Sequence, residues 1–101
     1  MSGGFDAVIH PPARLQLMAM LAEVQDAEFA FLRSATGVSD SVLSKHLAAL
    51  GEAGYVTLRK AATGGRVRTW ASATRAGRAA FRAHVKALRS MVEVADRMAA
   101  E

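Results

Sequence analysis

Near its end the chain carries Phe81, Val85, Leu88, Val92, Ala95 and Ala99 at steps of four, three, four, three and four residues, with Met91 and Met98 beside them. Steps of this kind gather apolar side chains into one stripe along a helix, in the heptad manner that suits a facing helix. A chain of 101 residues has room for one domain and one modest core. That core can use the first half of the stripe. The second half runs past anything so small a domain covers, so a partner helix is expected to bury it, with the adaptable methionines widening the contact. Self-association is the economical choice, because a two-fold axis pairs identical surfaces. The stripe therefore points to a single domain over residues 1–101 that ends in a dimerisation helix over about 74–99, roughly 35 to 40 Å long. Thr74 is its expected N-cap, and Gly77 lies in its first turn, where a break costs little.

A hydrophobic fraction of 51% beside 22% charged residues is that of a folded domain and too apolar for a disordered basic tail. Cysteine is absent, which excludes disulfides, thiolate zinc sites and thiol redox sensing. No apolar run follows an early basic segment and none approaches membrane-spanning length, so the expectation is a cytoplasmic protein without membrane contact.

Residues 1–4 read as a mobile start, and residues 5–9 are apolar enough to pack on another element. Pro11-Pro12 opens a first helix over about 12–24, since proline is tolerated where an N–H would be unbonded anyway; Leu15, Met18, Leu21 and Ala22 recur there at helical spacing. Asp26 is the candidate N-cap of a second helix, over about 26–36, that carries Phe29 and Leu32 inward with Phe31 as a candidate third and stops near Thr36-Gly37. Ser39 or Asp40 caps a third helix over about 39–53, in which Leu43, Leu47 and Leu50 form the buried stripe and Gly51 with Gly54 closes it. Two helices joined by a Gly-containing turn make a helix-turn-helix candidate. Tyr55-Val56-Thr57-Leu58 favours a strand, Thr63-Gly64-Gly65 a turn, and Val67 to Ser72 the returning strand, so the stretch to Ser72 reads as a hairpin with a basic rim. The fold class is mainly α with a small β-hairpin. No internal repeat is present.

Between Glu52 and Glu93 there is no acidic residue, while nine of the thirteen Lys and Arg lie there. With a formal net charge of +4, such clustering implies a polyanion against that surface, and duplex DNA is the expected one. On the third helix a rotation of about 100° per residue puts Ser41, Lys45 and Ala48 opposite the leucines, with Ser44 on the flank. Small hydroxyls and one long cation suit close approach to base edges and phosphates in a major groove. His46 lies nearer the buried stripe, and a DNA contact and a hydrogen bond within the domain both remain open for it. Lys60, Arg66 and Arg68 flank the glycines of the hairpin tip, which suits a minor groove or a run of phosphates. Trp70 shares strand parity with Arg66 and Arg68, so packing on a neighbouring element is expected of it. His10 and His84 lie in separate elements without Cys, Asp or Glu at ligand spacing, so neither a metal nor another cofactor is expected.

The stretch Arg14-Leu15, then Leu43-Ser44-Lys45-His46-Leu47-Ala48-Ala49-Leu50, Gly54-Tyr55-Val56, Arg68-Thr69 and Thr74-Arg75-Ala76-Gly77-Arg78 resembles the compact MarR/ArsR-like winged helix-turn-helix transcriptional regulators of bacteria. The resemblance spans residues 6–88 and is carried by the order and spacing of these pieces. It implies a third helix reading the major groove, a wing on the adjacent backbone or minor groove, and terminal helices making a dimer. By position it implicates Ser39, Asp40, Ser41, Ser44, Lys45 and His46 on the helix and Lys60, Arg66 and Arg68 on the wing. Metal sensing does not transfer, because the cysteines of the ArsR-type sensors are missing, and Gly64-Gly65 stands where many relatives carry an acidic residue.

The leading expectation is a homodimeric, sequence-specific DNA-binding regulator, and a repressor because the chain has no domain with which to recruit polymerase. The competing reading is a winged-helix adaptor whose basic face meets an acidic protein partner. A small hydrophobic effector between the dimer helices and the DNA-binding unit stays open, but apolar residues there are expected from packing anyway, so no pocket residues are named. Enzymatic function has no nucleophile with an adjacent base, carboxylate pair or phosphate loop to support it.

Overall fold

The computed structural model describes residues 4–101; residues 1–3 of the expected mobile start lie outside the described part. The element order is α1 (Pro12–Ala22), β1 (Ala27–Glu28), α2 (Phe29–Thr36), α3 (Asp40–Glu52), β2 (Val56–Thr63), β3 (Arg66–Ala73) and α4 (Arg75–Ala99). Four helices thus surround a three-stranded antiparallel sheet of order β1-β3-β2.

Pro12 occupies the first turn of α1, where its missing N–H costs nothing. The helix buries Leu17, Met18 and Leu21, with Leu15 packed at the edge; it is apolar almost all round, so spacing alone did not single out the inner face. It stops at Ala22, short of the expected Val24. There the Arg78 guanidinium donates to the carbonyls of Ala22 (3.4 Å), Val24 (3.0 Å) and Ala73 (2.9 Å), a cation meeting the orphan acceptors of a helix end.

Helix two differs most from expectation. Residues 27 and 28 pair with Ala71 and Trp70 of β3, so α2 begins at Phe29 with Glu28 as N-cap and no side-chain cap. Asp26 is not a cap; its carboxylate pairs with Arg59 at 2.8 Å. Of the apolar residues, Leu32 is fully buried and Phe29 packs at the core's edge, but Phe31 is 59% exposed. Gly37 ends the helix in the left-handed region, at φ 73°.

Ser39, not Asp40, caps α3, its hydroxyl accepting the Val42 N–H at 3.3 Å. Leu43, Leu47 and Leu50 are buried, as their spacing requires. At the far end Tyr55 N–H reaches Leu50 O (2.9 Å) and Gly54 N–H reaches Gly51 O (3.0 Å). This is a Schellman closure, and Gly54 supplies its positive φ of 79°.

Strands β2 and β3 pair from Val56↔Ala73 to Thr63↔Arg66. Only Gly64 and Gly65 lie between them, both at positive φ, the conformation of a two-residue hairpin turn whose twist matches the strands. Thr63 belongs to the strand rather than the turn. Val56, Ala71 and Ala73 close the core from below with Ile9, Leu17, Met18, Leu21, Ala27, Leu32 and the α3 leucines.

Thr74 caps α4, accepting the Gly77 N–H at 3.0 Å, while its hydroxyl donates to Gly54 O at 2.6 Å. Gly77 is not a tolerated break. A Cβ there would lie 2.1 Å from the Tyr55 carbonyl oxygen, so glycine is what lets α4 start against the corner between α3 and the hairpin.

Candidate nucleic-acid interface

On α3 the capped first turn fixes where the outward face begins. Ser41, Ser44, Lys45 and Ala48 are exposed, opposite the buried leucines. Lys45 has no ion-pair partner among the described residues. Ser39 spends its oxygen on the cap and lies 3.3 Å from the Ser41 hydroxyl. Asp40 is held by Arg33 of α2 at 2.9 Å; this ion pair braces the two helices across the turn and masks the one carboxylate near the outward face.

His46 is bonded within the domain. Arg14 Nε donates to its Nδ1 at 3.1 Å, and because a guanidinium only donates, the imidazole proton sits on Nε2. Burial, and then the charge of Arg14, push its pKa below the ordinary value.

In an antiparallel pair, opposite residues share a face. Thr63 and Arg66, Ala61 and Arg68, and Arg59 and Trp70 therefore lie on one side of the hairpin, and Lys60 with Thr69 lies on the other. The glycine tip is flanked by exposed Lys60 and Arg66, neither ion-paired among the described residues. Arg68 differs: Glu28 of β1 accepts from its Nη1 at 2.8 and 3.1 Å, and its Nε is buried without a partner. Trp70 is half-buried, with the Arg59 guanidinium 5.8 Å from its ring centroid, so it packs beside the sheet and not in the core.

The acid-free run of sequence is thus not acid-free in space. Arg59 and Arg68 are met by Asp26 and Glu28 from the short connection before α2, and Arg78 serves backbone carbonyls. Among the described residues, Lys45 on α3 and Lys60 and Arg66 at the tip are exposed without an ion-pair partner, as are Arg75, Arg82, Lys86 and Arg89 on α4. Sequence reading gave no partner to Arg14, Arg33 or Glu28 and took Asp26 for a helix cap; the weakly patterned segment between α1 and α2 carries no signal that it would fold against β3.

The stripe on α4 divides in two. Phe81 packs against the core, and Val85 and Leu88 are half-buried. The face turned fully inward is instead Gly77, His84 and Ala87, about 80° round the helix at 100° per residue. Beyond it every residue from Met91 is exposed, Val92 at 54% and Met98 at 70%, and Ala95 and Ala99 lie on the same bare stretch. No helix among the described residues is long and apolar enough to cross a membrane.

Comparison with known proteins places this arrangement. Residues 13–92 match the family described as winged helix DNA-binding domain. An uncharacterized protein of Methanocaldococcus jannaschii is 31% identical over 78 residues, 77% of this chain and 85% of that one. The fold is that of a transcriptional regulator homologue from Pyrococcus horikoshii OT3 (TM-score 0.82, 22% identity, 88% of each chain covered). It is also similar to a regulator of the MarR family from Enterococcus faecalis V583 (TM-score 0.80, 21% identity, 94% of this chain and 86% of that one).

Proposed function

The chain belongs to the winged helix DNA-binding domain family, and from that premise we propose that it is a homodimeric, sequence-specific transcriptional regulator of the MarR type. One observation carries the reading: the exposed α3 face of Ser41, Ser44, Lys45 and Ala48 stands beside a glycine-tipped hairpin whose Lys60 and Arg66 remain uncommitted. α3 enters the major groove with Lys45 at base edges, and the tip takes the adjacent backbone or minor groove. Ser39 contributes as the cap and Asp40 and His46 as braced supports, while Arg68 holds the hairpin to Glu28 more than it holds phosphate. Repression by occupancy of the DNA site, in the cytoplasm, is part of this reading.

The exposed end of α4 is the dimer surface, because Val92, Ala95, Ala99 and Met98 form an apolar strip that one chain leaves bare. Charge along the helix selects its direction. Arg82, Lys86 and Arg89 precede the strip, whereas from its start onward Glu93, Asp96 and Glu101 outnumber Arg97. Antiparallel helices set the basic segment of each subunit against the acidic segment of the other, and parallel helices would align like with like.

Selection of bound fragments from genomic DNA, followed by affinity against salt, tests the reading. The selected site is expected to be an inverted repeat with centres about one helical turn apart or a multiple of it. Log affinity falls linearly with log salt if phosphates are neutralised. A salt-insensitive interaction, or no selected sequence, would put the basic face on an acidic protein instead.

A further inference from the structure

Residues 4–10 form a strap that is pinned to α4 by a buried histidine. Gly4 lies so close that a Cβ would stand 2.9 Å from the Ala83 carbonyl oxygen. His84 is fully buried and is met edge-on by Phe5, with ring centroids 5.6 Å apart. The backbone N–H of Asp6 donates to His84 Nδ1 at 2.9 Å. A backbone amide can only donate, so Nδ1 is bare and the proton of the neutral ring sits on Nε2. Nε2 in turn lies 3.2 Å from His10 Nδ1, which must accept. The run of donors therefore has one direction, from Asp6 N–H to His84 and from His84 to His10, with a single proton between the two rings.

The same strap reaches the DNA-facing elements. Asp6 Oδ1 accepts the N–H groups of Val8 and Ile9 at 2.8 and 3.2 Å, and Oδ2 accepts the Tyr55 hydroxyl at the corner after α3. The Val8 carbonyl accepts from Arg14 Nη1 at 3.1 Å, and the same guanidinium holds His46 of α3. Two linked contacts therefore run from α4 to the helix that faces outward.

We propose that the strap is a proton-sensitive latch: a proton taken up by His84 unseats residues 4–10 from α4 and withdraws the Val8 carbonyl that steadies Arg14 under α3. A second ring proton on His84 would point its Nδ1–H at the Asp6 N–H, two donors head to head at a contact of 2.9 Å. The charge would also sit in a closed site. Of the groups facing it, the Asp6 carboxylate favours the cation but is already engaged by Tyr55, Val8 and Ile9. His10 from the strap opposes it; Lys86 lies about 200° round α4 from His84 at 100° per residue, at the groove beside Gly4 and Phe5, and the Arg14 guanidinium is turned to the Val8 carbonyl. Burial, then His10, outweigh Asp6 and hold His84 below its ordinary value of 6.5. The sign follows. The latch is whole above that ordinary value, where both open and closed states leave the ring neutral. As pH falls below it, the open state gains the proton and the closed-to-open equilibrium constant drops by up to about tenfold per pH unit.

The latch itself is independent of DNA; only its effect on affinity rests on reading α3 as the recognition helix. Nitrogen NMR of the free full-length chain between pH 8 and 5.5 tests it. His84 is expected as the Nε2–H tautomer at pH 8, and the amides of Asp6, Val8 and Ile9, corrected for intrinsic exchange, are expected to lose up to about tenfold protection per unit below pH 6.5 while Leu47 and Leu50 stay protected. His84→Asn keeps an acceptor for the Asp6 N–H without a titrating ring and is expected to flatten that pH dependence. An Nδ1–H tautomer, strap amides that stay protected while His84 titrates, or joint loss of protection at Leu47 and Leu50 overturns the latch, and all three are read on the wild-type chain even if the variant folds poorly. In the DNA arm, affinity for the selected site is expected to fall between pH 7.5 and 5.5 more in wild type than in His84→Asn. Unlatching with equal affinity losses in the two proteins overturns the coupling to α3. Absence of DNA binding at every pH counts against the regulator reading and leaves the NMR result standing.

Discussion

Lys45 and Arg66 are both exposed cations without an ion-pair partner among the described residues, yet their positions give them different work. Lys45 projects from the middle of α3, so Lys45→Ala is expected to weaken the preferred site by about 1 to 3 kcal/mol and to change preference at one position of each half-site. Arg66→Ala, at the tip, is expected to weaken all sequences alike and to flatten the salt slope by about one unit per lost phosphate contact in each subunit. Arg68→Ala is expected to leave the slope as it was, because Glu28 holds that guanidinium; filter or anisotropy titrations across salt distinguish the three. Gly77→Ala belongs to the same scale but reads on stability. With 2.1 Å to the Tyr55 carbonyl oxygen, the added methyl can be fitted only by moving backbone, and urea denaturation is expected to show a loss of about 1 to 3 kcal/mol or more. A neutral result would mean that the start of α4 is looser than its contacts.

Among the elements, the C-terminal half of α4 is the one whose shape exceeds its use in a single chain. Removing residues after Leu88 takes away a strip exposed from Met91 onward and none of the described buried residues, the last of which is Ala87. The truncated chain is therefore expected to keep its fold and to sediment as a monomer or an aggregate. If it sediments as the intact dimer does, the strap and α1 become the interface. The hairpin is the contrasting element: its register runs unbroken to a two-glycine turn, so its tip is placed by backbone geometry and not by side-chain packing.

For the whole molecule, the direction of dimer pairing decides how far apart the two α3 helices stand on DNA. Arg89→Glu alone and Asp96→Arg alone are each expected to weaken the dimer several-fold by sedimentation equilibrium, and the double variant to recover it, if Arg89 of one subunit neighbours Asp96 of the partner subunit in an antiparallel pair. No recovery in the double variant would favour parallel helices. The same pairing would bring the two straps to opposite ends of one α4 pair, so a proton at either His84 could act on its own α3.

What the sequence alone determined is local. Leucine spacing on α3, the Gly37 and Gly54 helix ends, the Thr74 cap and the Gly64-Gly65 turn are all set by residues within a few positions of one another, and periodicity or backbone freedom reports them directly; at the start of α3 the sequence offered Ser39 or Asp40, and the structure chose Ser39. The outward face of α3 and the hairpin were legible for that reason. The tertiary structure decided what rests on distant partners: that Asp26 and Glu28 meet Arg59 and Arg68 across separations of 33 and 40 residues, and that a two-residue strand joins the sheet. It likewise decided that Gly77 meets Tyr55 and that His84 turns inward to hold residues 4–10. A charge run along the chain counts cations but not their partners, because an ion pair is made by proximity in space, and only the fold brings those partners together.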